Sequence, residues 1–491
     1  MSQIKTTKWS SSGGYIWSML GSAIGFANLL GFGSQCYRNG GGAFLIPFFI
    51  AIFILGIPML ILEGIVGQRH SDPLVTSYDR VIGKKGKIFG WLAVIAVTTI
   101  GSFYIVLTGW SLAYTYYAAT GQISENVAHF FSNDFLKATG NISEIGSLSL
   151  PVFTSTFIVG ILSWFVLSRN IQKGIEKWCS FFLPLLGIVI IIFAGAVVFL
   201  PGASIGFYNY LYPDFSKLKD LTLWRDVFGQ LFFSLSLGLG IVVGYSRHTT
   251  KSTDICKAMI IVAFSDFAIS FIAGFIIFGC LGYMSQEQGV LFDSIAANSS
   301  IFDIGYITFP QILQTFNPHF SKLLGAIFFF SLFIAGFTGV FSIVESIVGN
   351  IRVEYEVSRK KAVTIAMGIM LLFAIPFSMG NGTALIDTLE PMVMGNNMLI
   401  GGIAQIIVFM YFSKELSNHP VWYRNSSKQF WYYSIKYLSL AILIVTLFIS
   451  LASEFSNPWG LAEMIRWSWF GVAILIATAL AYTHNGSKHT I

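Results

Sequence analysis

The sequence predicts an all-α membrane protein with twelve transmembrane helices, and three observations lead to this fold class. Of the 491 residues, 55% are hydrophobic and only 11% are charged, whereas soluble domains contain about 25% charged residues. The mean hydropathy is +0.71. Apolar segments of about 20 residues, the length that crosses a bilayer, recur along the whole chain. Residues 1–491 are therefore predicted to form a single polytopic unit, and a soluble multidomain protein is excluded.

Twelve apolar segments are the predicted spans. They cover residues 14–37, 42–69, 88–120, 152–169, 175–200, 224–246, 256–284, 320–351, 360–379, 384–413, 430–452 and 466–483. An even number places both termini on the same side. With the termini inside, the cytoplasmic segments carry 21 Lys and Arg residues and the outer segments carry 4. This bias predicts a multi-pass protein of the plasma (inner) membrane with both termini in the cytoplasm.

The basic residues are dispersed among short loops, so the net charge of +6 does not indicate a nucleic-acid partner. The predicted partners are the lipid bilayer and a small molecule. No CxxC pair occurs among the four cysteines, which disfavours a disulfide or zinc framework. The chain contains no HExxH or GxSxG motif and no Cys/His cluster, so an enzyme is not expected.

Spans 1 and 6 are each interrupted by small residues, over Gly21–Asn28 and over Ser234–Gly240. Paired interruptions five spans apart indicate two structural halves and a transport site near the bilayer midplane. Carbonyls freed at a break coordinate cations, while the N–H groups of the following half-helix attract a carboxylate. Two facing breaks therefore suit a small zwitterion. The alternative for either break alone is close helix packing, which glycine also permits.

Four acidic residues, Glu63, Asp266, Glu345 and Glu390, lie in apolar context. A central acidic side chain costs about 2.5–3.5 kcal/mol, so each needs a partner, a cation or a proton. Glu63 could instead pair with Arg69 near the end of span 2. Asp266 lies nearest the middle of its span and is the least explained by packing.

Several motifs carry a family resemblance. They are Gly21 to Phe44 with its Arg38-Asn-Gly-Gly-Gly-Ala-Phe ending, Gly229-Gln-Leu-Phe-Phe-Ser-Leu-Ser-Leu-Gly238, Ala335-Gly-Phe-Thr338 and Ser358-Arg-Lys-Lys-Ala362. These stretches resemble the neurotransmitter:sodium symporters, most closely the bacterial amino-acid transporters among them, such as those for leucine. The resemblance covers nearly the whole chain. It implies an inverted five-helix repeat (spans 1–5, residues 14–200, and spans 6–10, residues 224–413), broken helices 1 and 6, and two accessory helices (430–483).

The resemblance also implies two sodium sites, one beside the substrate carboxylate and one between spans 1 and 8. The first would use Ala23, Asn28, Ser234 and Asp266. The second would use Gly21, Ile24, Ala335 and Thr338. Where the family adds an oxygen ligand beside that threonine, this chain has Gly339, so the second site is expected to be weakened. One or two sodium ions are the predicted cofactors.

The implied substrate site surrounds the two breaks and has an apolar, uncharged lining, which favours a neutral, hydrophobic amino acid. Its residues would be Ala23, Gly25, Phe26, Ala27, Ile100, Tyr104, Phe233, Ser234, Ser236, Leu239, Gly339 and Ile343. Tyr104 and the N–H groups near Phe26 and Ala27 would bind the carboxylate.

The halide positions of chloride-dependent members correspond to Phe48, Gln230, Ser234 and Ser270. The expected tyrosine is replaced by Phe48, and Asp266 lies one helical turn before Ser270, so both share one face. The carboxylate of Asp266 could supply the fixed negative charge, and chloride is not expected to be required.

The gating residues depart from the family pattern. Gly31 stands where the family has an outer arginine, although Glu390 and Asp387 remain on the opposing span 10. On the inner side, Arg247 and His248 are predicted to form a substitute network. Their expected partners are Lys5 and Glu354, and the alternative is that these are ordinary solvated charges.

Together these observations predict sodium-coupled uptake of a neutral amino acid by alternating access. One alternative is a proton-coupled or sodium-independent carrier or exchanger that uses Asp266. The other is a receptor-like or channel protein with vestigial ion sites. A monomer or a homodimer is compatible with the sequence.

Overall fold

The computed structural model describes residues 7–289, 291–292, 301–456 and 458–483, whose regular structure is almost entirely helical. The long helices are α1a (Ser12–Ala23), α1b (Ala27–Arg38), α2 (Gly42–His70), α3 (Lys84–Thr120), α4 (Leu150–Leu167), α5 (Gln172–Val197), α6a (Leu221–Ser234), α6b (Ile241–Ser246), α7 (Ile255–Gln288), α8 (Pro318–Glu354), α9 (Arg359–Phe377), α10 (Gly382–Phe412), α11 (Ser426–Ser456) and α12 (Leu461–Thr483). Shorter helices lie in the connections, at Leu74–Ile82, Ala203–Leu211, Phe309–Gln314 and Lys414–Ser417.

Each of the twelve predicted spans has a helical counterpart. In the described part of the chain, ten helices are long and apolar enough to cross a membrane, and the pair α1a and α1b makes an eleventh. The predicted span 224–246 corresponds to α6a and α6b, which are separated by residues 235–240. Helices 1 and 6 are thus broken as predicted. The limits of the two five-helix halves and of the accessory pair stay predictions.

Helix α1 breaks where the backbone finds a side-chain partner. Ile24 is extended (φ −80°, ψ 106°), and the N–H of Gly25 donates to Oδ1 of Asn28 at 2.9 Å instead of to a carbonyl one turn earlier. The two halves meet at an angle of 54°. The side chain of Asn28 therefore stabilises the break, as an N-terminal cap does for a regular helix.

Helix α6 breaks because three residues take left-handed backbone conformations. Ser236, Gly238 and Gly240 have φ values of 55°, 78° and 73°, which no right-handed helix can contain. Glycine adopts this region without the steric cost that a side chain brings. At Gly238 a Cβ would also lie 2.4 Å from the carbonyl oxygen of Met398, so only glycine lets α6 approach α10 there.

Helices α3 and α8 form the centre of the bundle and share its most extensive helix contact. Their approach depends on Gly336, where a Cβ would lie 2.6 Å from Oγ1 of Thr108. Dense packing of this kind leaves few internal voids. A cavity between α1, α3, α6 and α8 therefore indicates a binding site.

Candidate functional site

The two breaks lie against each other. The hydroxyl of Ser236, in the break of α6, donates to the carbonyl of Ser22, just before the break of α1, at 3.3 Å. Backbone polar groups inside a membrane must be paired or line a cavity within the protein. The facing breaks meet this requirement because a cavity lies between them.

This cavity has a volume of about 450 Å³ and is bounded by α1, α3, α6 and α8. Eleven of the twelve predicted substrate residues line it: Ala23, Gly25, Phe26, Ala27, Ile100, Tyr104, Phe233, Ser236, Leu239, Gly339 and Ile343. Ser22, Ile241 and Ser342 also line it and were missed by sequence reasoning. Ser342 lies one helical turn after Gly339, and that spacing could have indicated it. None of the described lining residues carries a formal charge.

Tyr104 reaches the break of α1 because two glycines leave room for its ring. A Cβ on Gly25 would lie 2.4 Å from the Tyr104 hydroxyl, and a Cβ on Gly339 would lie 2.5 Å from it. The hydroxyl is hydrogen-bonded to the backbone of Phe26, and the rings of Tyr104 and Phe26 are 5.2 Å apart. Tyr104 thus places a hydroxyl beside the first N–H groups of the second half-helix.

Ser234 is the remaining predicted substrate residue, and it lies in a buried polar cluster beside the cavity. The amide nitrogen of Asn28 is 2.6 Å from Oδ1 of Asp266 and 2.9 Å from the hydroxyl oxygens of Ser234 and Ser270. The Ser234 hydroxyl donates to both carboxylate oxygens of Asp266, at 2.8 and 2.9 Å. All four side chains are at most 1% exposed.

The carboxylate of Asp266 and the hydroxyls of Ser234 and Ser270 fit a hard monovalent or divalent cation. The Asn28 amide turns its nitrogen towards them, while its oxygen accepts from Gly25. Carboxylate, hydroxyl, amide and carbonyl oxygens are the ligands that such ions take. Asp266 provides the one formal negative charge of the cluster. The described residues contain no group of three or more His, Cys, Asp or Glu that could hold a metal, and a sodium site built from neutral oxygens and one carboxylate needs no such group.

The residues of the predicted second sodium site lie at the contact of α1a and α8. A Cβ on Gly21 would be 3.3 Å from Cβ of Thr338. The Thr338 hydroxyl donates to the carbonyls of Ile334 and Ala335, at 3.1 and 3.2 Å. Gly339 offers no side-chain oxygen, and the nearby Ser342 hydroxyl donates to the Gly339 carbonyl at 2.9 Å.

Glu63 does not pair with Arg69, the partner that the sequence allowed. Arg69 pairs with Glu415 instead, while Glu63 is fully buried and accepts a hydrogen bond from the N–H of Gly238 at 2.7 Å. The carboxylate thereby satisfies a backbone donor that the break of α6 leaves without a helical partner. Glu63 is a structural support of the site that sequence reasoning did not identify.

The residues at the positions that hold a halide in chloride-dependent members contact other protein groups in this chain. Gln230 donates to the carbonyl of Ala27 at 2.9 Å. Ser270 accepts from Asn28. Phe48 packs edge-on against Phe32, with ring centres 4.9 Å apart.

Arg247 and His248 belong to a buried network at the end of α6b. Arg247 and His248 lie 3.2 and 3.3 Å from Oε1 of Glu345, and Arg359 lies 2.7 Å from Oε2. The prediction that Glu354 is a partner of Arg247 and His248 was wrong, because the Glu354 carboxylate pairs with the buried Lys87. Glu345, fully buried in α8, takes that place because it faces α6b. Lys5 lies outside the described residues.

His248 is neutral in this network. Burial, and then the charge of Arg247, lower its pKa to about 4. Its Nδ1 lies 2.8 Å from the carbonyl of Thr7 and its Nε2 accepts from Nε of Arg247 at 3.1 Å. The proton is therefore on Nδ1, and His248 holds the N-terminal segment against α6b. The indole of Trp9 strengthens this contact by donating to the Tyr245 carbonyl at 3.0 Å.

On the opposite side, Asp387 and Glu390 lie one helical turn apart on α10. The basic residue whose charge acts on both is Arg38, at the end of α1b. Sequence reasoning missed Arg38 in this role because it looked for a cation at the position of Gly31. A Cβ on Gly31 would meet only ordinary contacts, of 3.7 Å and more.

Comparisons with known proteins identify the family of the chain. The family model described as the sodium:neurotransmitter symporter family matches residues 6–125 and 118–484. An uncharacterized sodium-dependent transporter of Methanocaldococcus jannaschii is 34% identical over 474 residues, which cover 94% of this chain and 93% of that protein. Sodium- and chloride-dependent GABA transporter 2 of Bos taurus is 29% identical over 377 residues, covering 70% and 62% of the two chains.

Among solved structures, the crystal structure of MhsT in complex with L-phenylalanine is similar, with a TM-score of 0.79 and 26% sequence identity. The match covers 91% of this chain and all of that one. Both sequence relatives are named as transporters. The chain is therefore a multi-pass membrane transporter that belongs to the sodium:neurotransmitter symporter family.

Proposed function

We propose that this protein carries a neutral, hydrophobic amino acid across the inner membrane, coupled to sodium, by alternating access. The observation that carries the proposal is the uncharged cavity between the two broken helices, with the Asn28–Ser234–Asp266 cluster beside it. A relative of the same fold has been crystallised with L-phenylalanine, an amino acid of this class.

The two ends of a zwitterion would find complementary groups in the cavity. The Tyr104 hydroxyl and the N–H groups near Phe26 and Ala27 would bind the carboxylate, since the start of a half-helix favours an anion. The carbonyls of Ala23, Phe233 and Ser234, with Ser236, would receive the ammonium group. Ile100, Leu239, Gly339 and Ile343 would contact an apolar side chain.

Sodium would be held by Ala23, Asn28, Ser234 and Asp266. When bound, it would supply positive charge beside the substrate carboxylate. Asp266 sets the charge of the site, and Asn28 links that site to the break of α1 through its contact with Gly25. Sodium and substrate would consequently bind with positive coupling, and the coupling would be reciprocal.

A second sodium would lie between α1a and α8, with Gly21, Ile24, Ala335 and Thr338 as ligands. Gly339 makes this site weaker than the first because it removes one side-chain oxygen. Chloride would not be required, because the carboxylate of Asp266 lies among Asn28, Ser234 and Ser270, where a halide would otherwise supply the negative charge.

Two clusters of charged side chains would close the transport path, one on each side of the membrane. The Arg247–Glu345–His248 network with the N-terminal segment would form the inner gate, and Arg38 with Asp387 and Glu390 would form the outer gate. Both termini would be cytoplasmic, as the distribution of basic residues predicts.

Proton coupling is the second candidate, and the surroundings of Asp266 favour it. The hydrogen-bond partners of this buried carboxylate among the described residues, Asn28 and Ser234, are neutral. A proton could neutralise the site in place of sodium.

Uptake into vesicles separates the two. Purified protein would be reconstituted into liposomes and loaded from outside with radiolabelled leucine, phenylalanine, glutamate or lysine. We expect accumulation of leucine or phenylalanine that requires an inward sodium gradient and is unaffected by replacing chloride with gluconate. Accumulation driven by an inward proton gradient without sodium would instead support the second candidate.

A further inference from the structure

A second large cavity lies away from the substrate site, in a groove bounded by α3, α8, α9, α10 and α12. We call it the α3/α12 groove. Its empty space, part of which is open to the outside, amounts to about 1910 Å³, and its walls include Val94, Ile351, Ile369, Phe373, Val472 and Ile476. The transport mechanism proposed above makes no use of these residues.

The groove runs beside α12 because that helix stands partly away from the bundle. Among the ten long apolar helices of the described chain, α12 is the least buried. It touches α3 through a hydrogen bond from the indole of Trp469 to the hydroxyl of Thr99, at 3.1 Å. Ala473, Ala477 and Ala481 are its fully buried positions. These small alanines, the Trp469–Thr99 hydrogen bond and the ion pair of Arg466 with Glu454 of α11 hold α12 in place and leave the groove beside it open.

The walls of the groove offer few free hydrogen-bonding groups, and the buried indole Nε1 of Trp91 is one of them. The hydroxyls of Thr98, Thr99 and Ser102 donate to carbonyls one turn earlier on α3, at 2.8, 3.1 and 2.8 Å. A polar solute would therefore lose its hydration without gaining partners. Hydrocarbon is the chemistry that the body of the groove accepts.

One end of the groove is cationic. Lys361, in the first turn of α9, is exposed and lines the groove. Its neighbours are engaged elsewhere, since Arg359 pairs with Glu345 and Lys360 lies 5.5 Å from the ring of Trp164. Lys361 is thus the basic side chain of this triplet that faces the groove.

A hydrocarbon channel with a lysine at its mouth matches an amphiphile with an anionic head. Basic pockets between membrane helices bind the head groups of anionic lipids. We propose that the α3/α12 groove is a binding site for an anionic phospholipid, with an acyl chain along α12 and the phosphate against Lys361. The lipid comes from the leaflet at which α9 begins.

Lipid titration of the purified full-length protein, followed by native mass spectrometry, tests the proposal. The probes are phosphatidylglycerol and phosphatidylcholine with identical acyl chains. We expect the wild-type protein to retain phosphatidylglycerol preferentially. Lys361→Gln should reduce that preference about 3-fold or more, whereas Lys360→Gln, the same charge change on the adjacent residue, should leave it unchanged.

A second pair of variants tests the body of the groove. Val472 and Leu475 are both exposed on α12, but only Val472 lines the groove. Val472→Trp should weaken binding of both lipids and Leu475→Trp of neither. Equal effects of the two lysine variants, or unchanged lipid binding in Val472→Trp, would overturn the proposal. Loss of a dimer in Val472→Trp with lipid binding intact would assign the groove to a second copy of the chain and would also overturn it.

Discussion

The amide nitrogen of Asn28 lies 2.6 Å from a carboxylate oxygen of Asp266, and this contact ties the break of α1 to helix α7. The other end of the same amide accepts the N–H of Gly25 at 2.9 Å. One side chain therefore connects the proposed ion site to the backbone that would bind the substrate carboxylate. Changes in charge at Asp266 should consequently alter the affinity for the substrate.

The first prediction concerns that charge. Asp266→Asn should weaken sodium binding by about 10- to 100-fold, the size of a lost charge-assisted interaction of about 1.5–3 kcal/mol. Sodium titrations of substrate binding would measure this change. Asp266→Glu keeps the charge and is the control. Unaltered sodium affinity in Asp266→Asn would exclude Asp266 from the ion site.

The second prediction concerns the fit of Tyr104 between two glycines. Gly25→Ala should destabilise the protein by about 1–3 kcal/mol, the usual cost of overpacking, because its Cβ would meet the Tyr104 hydroxyl at 2.4 Å. Adding Tyr104→Phe should restore stability, since the next atom is 3.6 Å away. The same addition should fail to rescue Gly339→Ala, whose Cβ also meets ring carbons at 2.9 and 3.0 Å.

Thermal unfolding measures these effects, and a glycine of the same helix serves as the control. A Cβ on Gly13 would meet only Ser11, at 3.7 Å, so Gly13→Ala should be nearly neutral. If Tyr104→Phe rescued both glycine variants equally, or neither, the proposed placement of the ring would be incorrect.

The third prediction concerns the support of the α6 break by Glu63. Glu63→Ala leaves the N–H of Gly238 buried without its acceptor, at a cost of about 1–3 kcal/mol. Glu63→Gln keeps an acceptor oxygen and should lose much less stability. Denaturation of both variants measures the difference. Similar losses in the two would show that the charge of Glu63, and not its hydrogen bond, supports the break.

The fourth prediction is a pH dependence of the inner gate. In the closed gate the pKa of His248 is about 4, lowered by burial and by Arg247, whereas an exposed histidine titrates near 6.5. Protonation therefore favours the open gate. Closure should be fully stable above about pH 6.5 and should weaken as the pH falls towards 4.

Alkylation of Ser18→Cys by a membrane-impermeant thiol reagent would report opening, because Ser18 is buried beneath the gate. Acidification by itself slows alkylation because it lowers the thiolate fraction, so the rate is compared per thiolate, and that rate should rise as the pH falls. His248→Gln should remove that rise, while Glu345, Arg247 and Arg359 remain to hold the rest of the network. A pH-dependent rise that survived in His248→Gln would assign the titration to another group.

The fifth prediction concerns the outer gate. Arg38→Gln should speed release of bound substrate to the outside by about 2- to 5-fold, because the attraction between an exposed cation and nearby carboxylates contributes up to about 1 kcal/mol. Arg225→Gln, which removes a cation paired with Asp226, should not. Gly31→Arg in the Arg38→Gln background should slow release again by restoring a cation on α1b, since a Cβ at Gly31 meets only contacts of 3.7 Å and more. Unchanged release from Arg38→Gln would leave Asp387 and Glu390 without their proposed partner.

The fold was predictable because bilayer length and hydropathy leave few choices for an apolar chain. The breaks were predictable because Gly25, Gly238 and Gly240 interrupt otherwise apolar helices. The partners of long or buried side chains were not predictable. Glu63 reaches Gly238 and Glu345 replaces Glu354 because helix rotation and packing decide which face meets which neighbour. Sequence spacing alone does not fix that rotation.

The residues that line the cavity were likewise only partly predictable. Residues at the breaks were identified through motifs, and Ser342 could have been found by its spacing from Gly339, whereas Ile241 joined the lining only through three-dimensional packing. The role proposed for Arg38 depends likewise on the approach of α1b to α10, which no local pattern in the sequence expresses.

The central claim is that sodium and a neutral amino acid bind together between the broken helices. Its most direct test is the thermal stability of the purified protein with leucine or phenylalanine, in sodium and in choline. A ligand at 100 times its dissociation constant adds about 2.7 kcal/mol of stability. We expect that stabilisation in sodium and little in choline, with Asp266→Asn shifting the difference to higher sodium concentrations. Equal stabilisation in both salts would contradict sodium coupling at this site.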